Sequence, residues 1–320
     1  MARYLAIRLL LAIVTVFGMA IFTFSVVRFL PGDAVDQIVG QAASGSIREA
    51  EELERQIRAD LGLDRPAPVQ FARWLGGLLK GDLGTSLYSK SDSIRDQLAS
   101  RLPISVQLGV MAILVALIIG VPVGALSAVA RDRWPDYLSR GSAVLALSVP
   151  YFWTAVLVIV FGAKWFGWTP PLHYREPWTD PLTNLEQMLI PAVLLGVSGA
   201  GQVLRVTRTE LLEVLSQDYM RTAHAKGLSG RVVLFRHALR NALIPVLTIV
   251  GVLAPLYMGG IVALEVIFGI PGLGTYLVRS LEQRDYPVVQ VLAMVLGAIV
   301  VAMNLVVDML YAYLDPRIRY

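Results

Sequence analysis

Asp308 and Glu265 are carboxylates set in long apolar stretches, where a charge is expensive and so has a partner or a task. Asp308, with Asn304 one turn earlier, lies toward the end of the last stretch. Arg205 and Arg208 close an earlier one, so an ion pair across a helix bundle is geometrically open. Glu265 has Arg279 and Arg284 as candidate partners. Pairs among Arg205, Asp308, Glu265 and Arg279 would be structural ties near lipid headgroups or, on the sharper reading, gates.

Covalent and metal chemistry find less support. Gly196-Val197-Ser198-Gly199 resembles the Gly-x-Ser-Gly motif of rhomboid proteases. A nucleophilic serine needs a base within hydrogen-bond reach. The three histidines, His173, His224 and His237, all fall outside the apolar stretches, so small residues on a packed membrane helix explain the match more simply. No His-Glu-x-x-His occurs and cysteine is absent, which leaves no thiolate site, no disulfide framework and no metal set. Nor is there a Gly-x-x-x-x-Gly-Lys-Ser/Thr loop, since Gly81 to Ser86 lacks the lysine. The expectation is a chain without catalytic residues or a bound cofactor, whose energy comes from another subunit or an ion gradient.

The elements that hold these residues follow from composition. Of 320 residues 56% are hydrophobic and only 16% charged, with mean hydropathy +0.62. A soluble domain carries nearer a quarter charged residues, so the bilayer is the expected solvent and the fold an all-α polytopic membrane protein. Six stretches can each cross roughly 30 Å of hydrocarbon as helix: Leu9 to Leu30, Ile104 to Ala130, Ser142 to Phe166, Met188 to Leu204, Ala242 to Phe268 and Val288 to Leu314. The first is longer than a signal-peptide core and lacks a clean cleavage site, so it reads as a retained helix. With an inside N-terminus, Arg3, Arg8, Arg131, Arg133, Arg140, Arg205 through Arg240, Arg317 and Arg319 all fall on the cytoplasmic side. That asymmetry predicts both termini inside. A net charge of +4 without a reading motif gives no support for nucleic-acid binding.

The chain then divides into a first helix over 1–30, an extracytoplasmic segment over 31–103, a five-helix core over 104–314 and a tail over 315–320. In the outer segment Ser46-Ile47-Arg48-Glu49 reads as a capping box opening a helix to Gly62. Val69 to Leu79, with Phe71, Trp74, Leu75 and Leu78, reads as an interfacial amphipathic piece. The segment is a lid on the bundle or a docking surface for an external protein. Trp165, Trp168 and Trp178 fit an aromatic belt. Pro255 and Gly259-Gly260 are expected to loosen the fifth span.

The longest basic segment between apolar stretches runs through 205–241. Its centre is Asp218-Tyr219-Met220-Arg221-Thr222-Ala223-His224-Ala225-Lys226-Gly227-Leu228. Gly227 is placed to end a helix in the left-handed conformation, with Leu228 as the apolar residue such a stop carries. Ser229 restarts the chain as an N-cap, and Val232, Phe235 and Leu239 follow at helical spacing. A helix, a glycine corner and a second helix therefore project from the membrane body, stiff enough to transmit a push.

This pattern resembles the EAA loop of ABC-importer permeases, whose motif is Glu-Ala-Ala, three residues, Gly, nine residues and Ile-x-Leu-Pro. Arg221-Thr222-Ala223 stands at Glu-Ala-Ala, Gly227 is in register, and His237-Ala238-Leu239-Arg240 replaces the last element. The variant, with Asn241-Ala242-Leu243-Ile244-Pro245 beyond it, is similar to the dipeptide, oligopeptide and nickel permeases. So are Leu30-Pro31-Gly32-Asp33, Trp74 to Gly84, Glu265 to Gly274 and Arg284 to Gln290, in the family's order. The resemblance implies a type I ABC importer fold in a bacterial inner membrane. It further implies a second homologous permease, two ATPase subunits holding ATP and Mg, and an extracytoplasmic solute-binding protein. Residues 218–228 would be the ATPase-coupling helix, and the cargo a peptide or a related solute such as a nickel complex. The competing readings are a self-sufficient secondary transporter or channel, favoured if Asp308 governed uptake, and a membrane enzyme with a reactive Ser198.

Overall fold

A computed structural model describes residues 2–29, 64–88, 93–171 and 173–314, with positions 52, 54, 55 and 58 besides. The capping box at 46–49 and most of the helix expected after it lie outside the described residues. Among those described, regular structure is helical apart from one isolated bridge, Thr85 to Ser93.

In chain order the helices are α1 (Ala2–Phe29), α2 (Ala67–Leu79), α3 (Ile94–Val129), α4 (Trp134–Ser148) and α5 (Tyr151–Phe166). They continue with α6 (Pro181–Leu215), α7 (Asp218–Ala225), α8 (Gly230–Phe268), α9 (Leu273–Glu282) and α10 (Tyr286–Leu314). Among the described residues five helices are long and apolar enough to cross a membrane, and six if the bent pair α4 and α5 counts as one span. The sequence reads the third span, Ser142 to Phe166, as one helix, which the structure corrects to a bent pair. α4 and α5 meet at 90°. Pro150 has no N–H to continue the ladder and holds Val149 extended, at φ −91° and ψ 120°.

Other boundaries move as well. α3 begins at Ile94, about three turns before the expected Ile104, and runs through Pro103. α8 runs unbroken past Pro245, Pro255 and Gly259-Gly260, so the loosening expected there is absent. Its irregularity lies earlier, in a π turn at Val233–Ala238. α6 opens at Asp180, whose carboxylate accepts from the Thr183 hydroxyl at 2.8 Å and the Thr183 N–H at 3.2 Å. Those bonds hold the Asp180 carboxyl below the usual carboxylate range.

The chain forms two compact units. The first comprises Met1–Arg8, Leu102–Thr275 and Ala302–Tyr320, the second Leu9–Arg101 and Tyr276–Val301. In the first unit the core joins Leu108 and Ala112 of α3, Met188 and Leu195 of α6, and Leu253 and Ile261 of α8. Without a hydrophobic drive in lipid, such helices hold by close backbone approach at small residues. Gly196 shows it: a Cβ there would stand 2.7 Å from the Ala112 carbonyl oxygen and 2.6 Å from Val115 Cβ. The Tyr257 hydroxyl fills the notch at Gly199, and the Ser198 hydroxyl donates to the Leu195 carbonyl at 2.6 Å. The Gly-x-Ser-Gly motif is thus a packing feature. Gly196→Val is expected to cost about 1 to 3 kcal/mol by overpacking α3 against α6. A lowered thermal midpoint of the purified chain checks it.

In the second unit α2 packs its aromatic face on the first span. Phe71 meets Phe24 edge-on at 5.1 Å and Trp74 lies 5.9 Å from Phe24, while the Arg28 guanidinium sits 3.7 Å over the Phe24 ring. The following segment is clasped by the α9–α10 turn. Buried Asp285 accepts from the Ser86 hydroxyl at 2.5 Å and the Leu87 N–H at 3.3 Å, and the Tyr88 hydroxyl donates to the Gln283 carbonyl at 2.6 Å. Within this unit residues 67–88 are packed on the first span and the α9–α10 turn.

Candidate functional site

α7 is amphipathic over only two turns. Met220 and Ala223 point into a small second core with Ala128 of α3, Leu211 and Val214 of α6, and Val233 and Ala238 of α8. Asp218, Tyr219, Arg221, Thr222, Ala225 and Lys226 remain exposed on the other face. The helix stops as its residues dictate. Gly227 takes φ +80°, and the Leu228 N–H reaches back to the Ala223 carbonyl at 3.4 Å, the wide bond of a Schellman stop. The chain turns at extended Ser229, whose side chain makes no cap bond, and α8 begins at Gly230. Asn241 of α8 donates to the Tyr219 hydroxyl at 2.9 Å and ties the two arms of the corner. Asp218 and Arg221 stand 3.5 Å apart in open solvent, where such a pair contributes little. Leu228 is exposed beside the corner, and the backbone of His224 lies in α7.

The stretch expected as a loop from residue 205 is helical to Leu215, so the elbow hangs from a rigid rod. A second feature braces that rod. Asp136, fully buried, receives both Nε and Nη2 of Arg208 at 2.8 Å each, the Ser127 hydroxyl at 2.6 Å and the Asp132 N–H at 3.1 Å. This fork joins α3, α4 and α6 one turn before Leu211, which enters the second core. Sequence reasoning passed over Asp136 because it stands among Arg131, Arg133 and Arg140, a cluster that reads as topological. An aspartate next to a helix-opening proline, Trp134-Pro135-Asp136, was the available signal.

The expected pairings are redrawn. Asp308 lies 3.1 Å from Arg8 of α1, not on Arg205 or Arg208. The helices meet so that α1 supplies the nearer cation, Arg208 is engaged by Asp136, and Arg205 lies exposed on α6. Glu265 is buried and accepts from the Ser105 hydroxyl at 2.5 Å, the Gly274 N–H at 2.7 Å and the Thr275 N–H at 3.2 Å. Ser105 in turn accepts from the Leu273 N–H at 2.9 Å. The carboxylate therefore caps the first turn of α9, a negative group where the helix offers free N–H donors. Arg279 is exposed in the last turn of the same helix. Ser105→Ala is expected to cost about 1 to 3 kcal/mol, since it strips one donor from a buried acid and one acceptor from Leu273. Ser105→Thr, which keeps the hydroxyl, separates that loss from repacking in the same unfolding measurement. Among the described residues no cluster of three or more histidine, aspartate or glutamate side chains is set to hold a metal.

A helical membrane body bearing an exposed helix–corner–helix elbow fits a transport permease, and that class is shown by the family and relatives this chain matches. Residues 120–320 match the family of binding-protein-dependent transport system inner membrane components, and residues 1–109 match the N-terminal model of the same components. The chain belongs to this family and is a multi-span permease subunit of an import system. It is 42% identical over 301 residues to a putative peptide transport system permease protein of Brucella abortus, covering 94% of each chain. Similarity extends over the full length of two further relatives. These are the dipeptide transport system permease DppB of Alkalihalophilus pseudofirmus, at 37%, and the oligopeptide transport system permease AppB of Bacillus subtilis, at 36%. A crystal structure of an amino acid ABC transporter with histidines superposes with TM-score 0.50 at 15% identity, over 70% of this chain and 94% of that one, and speaks to fold alone.

Proposed function

We propose that this chain is one membrane half of an ATP-driven importer of peptides, with α7 as the contact through which a partner ATPase moves the spans. The observation that carries the reading is the elbow. One face of α7 is locked into a core shared by α3, α6 and α8, and the other is presented to solvent by a glycine corner. A displacement applied to that exposed face is delivered to three helices at once. Peptide cargo is supported by relatives at 36% to 42% identity whose names specify peptide, dipeptide or oligopeptide transport. Two ATPases would hold ATP and Mg, a second homologous permease would complete the pore, and an extracytoplasmic binding protein would deliver solute. Both termini and the elbow would face the cytoplasm. Differential contact of α7 with two ATPase states is the physical requirement for coupling.

The test is purification of the tagged full-length chain from its native membranes, followed by reconstitution of whatever accompanies it. An ATPase pair, a sister permease and nucleotide-dependent uptake of labelled dipeptides or oligopeptides are expected. Uptake by this polypeptide alone, driven by a proton gradient, would remove the proposal. Transport of nickel complexes but not peptides would keep the coupling and replace the cargo.

A further inference from the structure

Helix α4 has two sides that need cover. Asp136, Ser139 and Ala143 recur at helical spacing and are buried on the side facing α6, where the Ala143 carbonyl and Leu147 close over Gly201. On the opposite side Trp134, Tyr137, Leu138, Val144 and Leu145 form a second stripe, each between 58% and 74% exposed. This stripe starts where positive charge gathers. Arg131, Arg133 and Arg140 are all exposed, and the Arg140 guanidinium lies 5.8 Å from the Tyr137 ring. The two nearby carboxylates are already engaged: Asp132 lies 3.3 Å from Arg131, and Asp136 is turned inward onto Arg208. Arg133 and Arg140 have no carboxylate partner among the described residues.

We propose that the first two turns of α4 bind the headgroup of an anionic phospholipid, with its acyl chains along the stripe from Trp134 to Leu145. The two free guanidinium groups complement a lipid phosphate. Trp134 and Tyr137 are the amphipathic rings that settle at headgroup depth, and Leu138, Val144 and Leu145 continue the surface as hydrocarbon-facing side chains. Free phosphate would answer the charge and leave the stripe uncovered. A phospholipid answers both with one molecule, and the Asp136–Arg208 fork keeps the local acid from cancelling the site.

The test is native mass spectrometry of the purified full-length chain titrated with phosphatidylglycerol or phosphatidylcholine. Wild type should retain phosphatidylglycerol about thirtyfold more tightly than Arg133→Gln/Arg140→Gln, with phosphatidylcholine retention equal in the two proteins. Both side chains are exposed, so an unchanged thermal midpoint shows that the double variant folds. Trp134→Ala/Leu138→Ala should weaken both lipids by a similar factor. Equal phosphatidylglycerol retention in wild type and the arginine variant overturns the site. So does displacement of the lipid by millimolar inorganic phosphate, which assigns the arginines to a free anion. Efficient cross-linking of Val144→Cys to a second polypeptide in native membranes also overturns it, because a protein then covers the stripe.

Discussion

Arg208→Ala is expected to destabilise the chain by about 3 to 5 kcal/mol, because it strands a fully buried carboxylate that had two guanidinium nitrogens, Nε and Nη2, on it. The Ser127 hydroxyl and Asp132 N–H remain as donors, but neither carries charge. The size of the loss comes from the survivor, not from the strength of the bond. Asp136→Leu/Arg208→Met, which removes both charges and keeps apolar volume, should therefore recover most of the stability lost in the single variant. Thermal unfolding of purified protein decides between these outcomes. An Arg208→Ala midpoint equal to wild type would mean that the fork is dispensable. Because the fork sits one turn from Leu211, the doubly substituted protein also reports on coupling. If it folds like wild type yet transports poorly in the assembled importer, the fork positions the elbow besides holding the bundle.

Gly227→Val should leave insertion and accumulation near wild type while lowering uptake by the assembled importer at least about tenfold. A Cβ at this position meets nothing within 4 Å, so the substitution causes no clash. Its whole effect is on the backbone. Gly227 sits at φ +80°, where an L residue pays roughly 1 to 2 kcal/mol and a β-branched one is a genuine outlier. The corner relieves that strain by moving φ negative, and α7 then leaves its bearing on Val233 and Ala238. Gly227→Asn, the side chain best tolerated at positive φ, should keep most of the uptake. Wild-type uptake by a normally inserted Gly227→Val protein would show that the corner's geometry does not matter to transport.

The class of fold was legible because the bilayer imposes long apolar runs, and five of the six runs stand as single helices. The sixth failed at a residue whose effect is local: Pro150 splits a continuous apolar stretch that hydropathy alone cannot divide. Pro245 and Pro255 made the opposite point. A proline inside a packed membrane helix need not break it, since neighbouring helices hold the direction when one ladder bond is missing. The corner at Gly227 was readable because positive φ and a restart at Ser229 leave a local signature. The partners of Asp308, Glu265 and Arg208 were not, because they depend on which helices touch. Arg8 stands 300 positions before Asp308 in the numbering, and Asp136 is 72 residues from Arg208, separations that no periodicity encodes.

The π turn at Val233–Ala238 bears on how the elbow tolerates a change in chain length. Its bonds span one residue more than those of an α turn, so it stores a surplus residue inside an otherwise regular helix. Deleting one position there would restore ordinary winding and leave the elbow and the span in nearly their present angular relation, whereas the same deletion in a regular stretch would swing one side by about 100° around the axis. Relatives that differ by that single deletion would keep α7 facing the same way. The length of the chain can thus vary at one spot without re-aiming the helix that hangs from it.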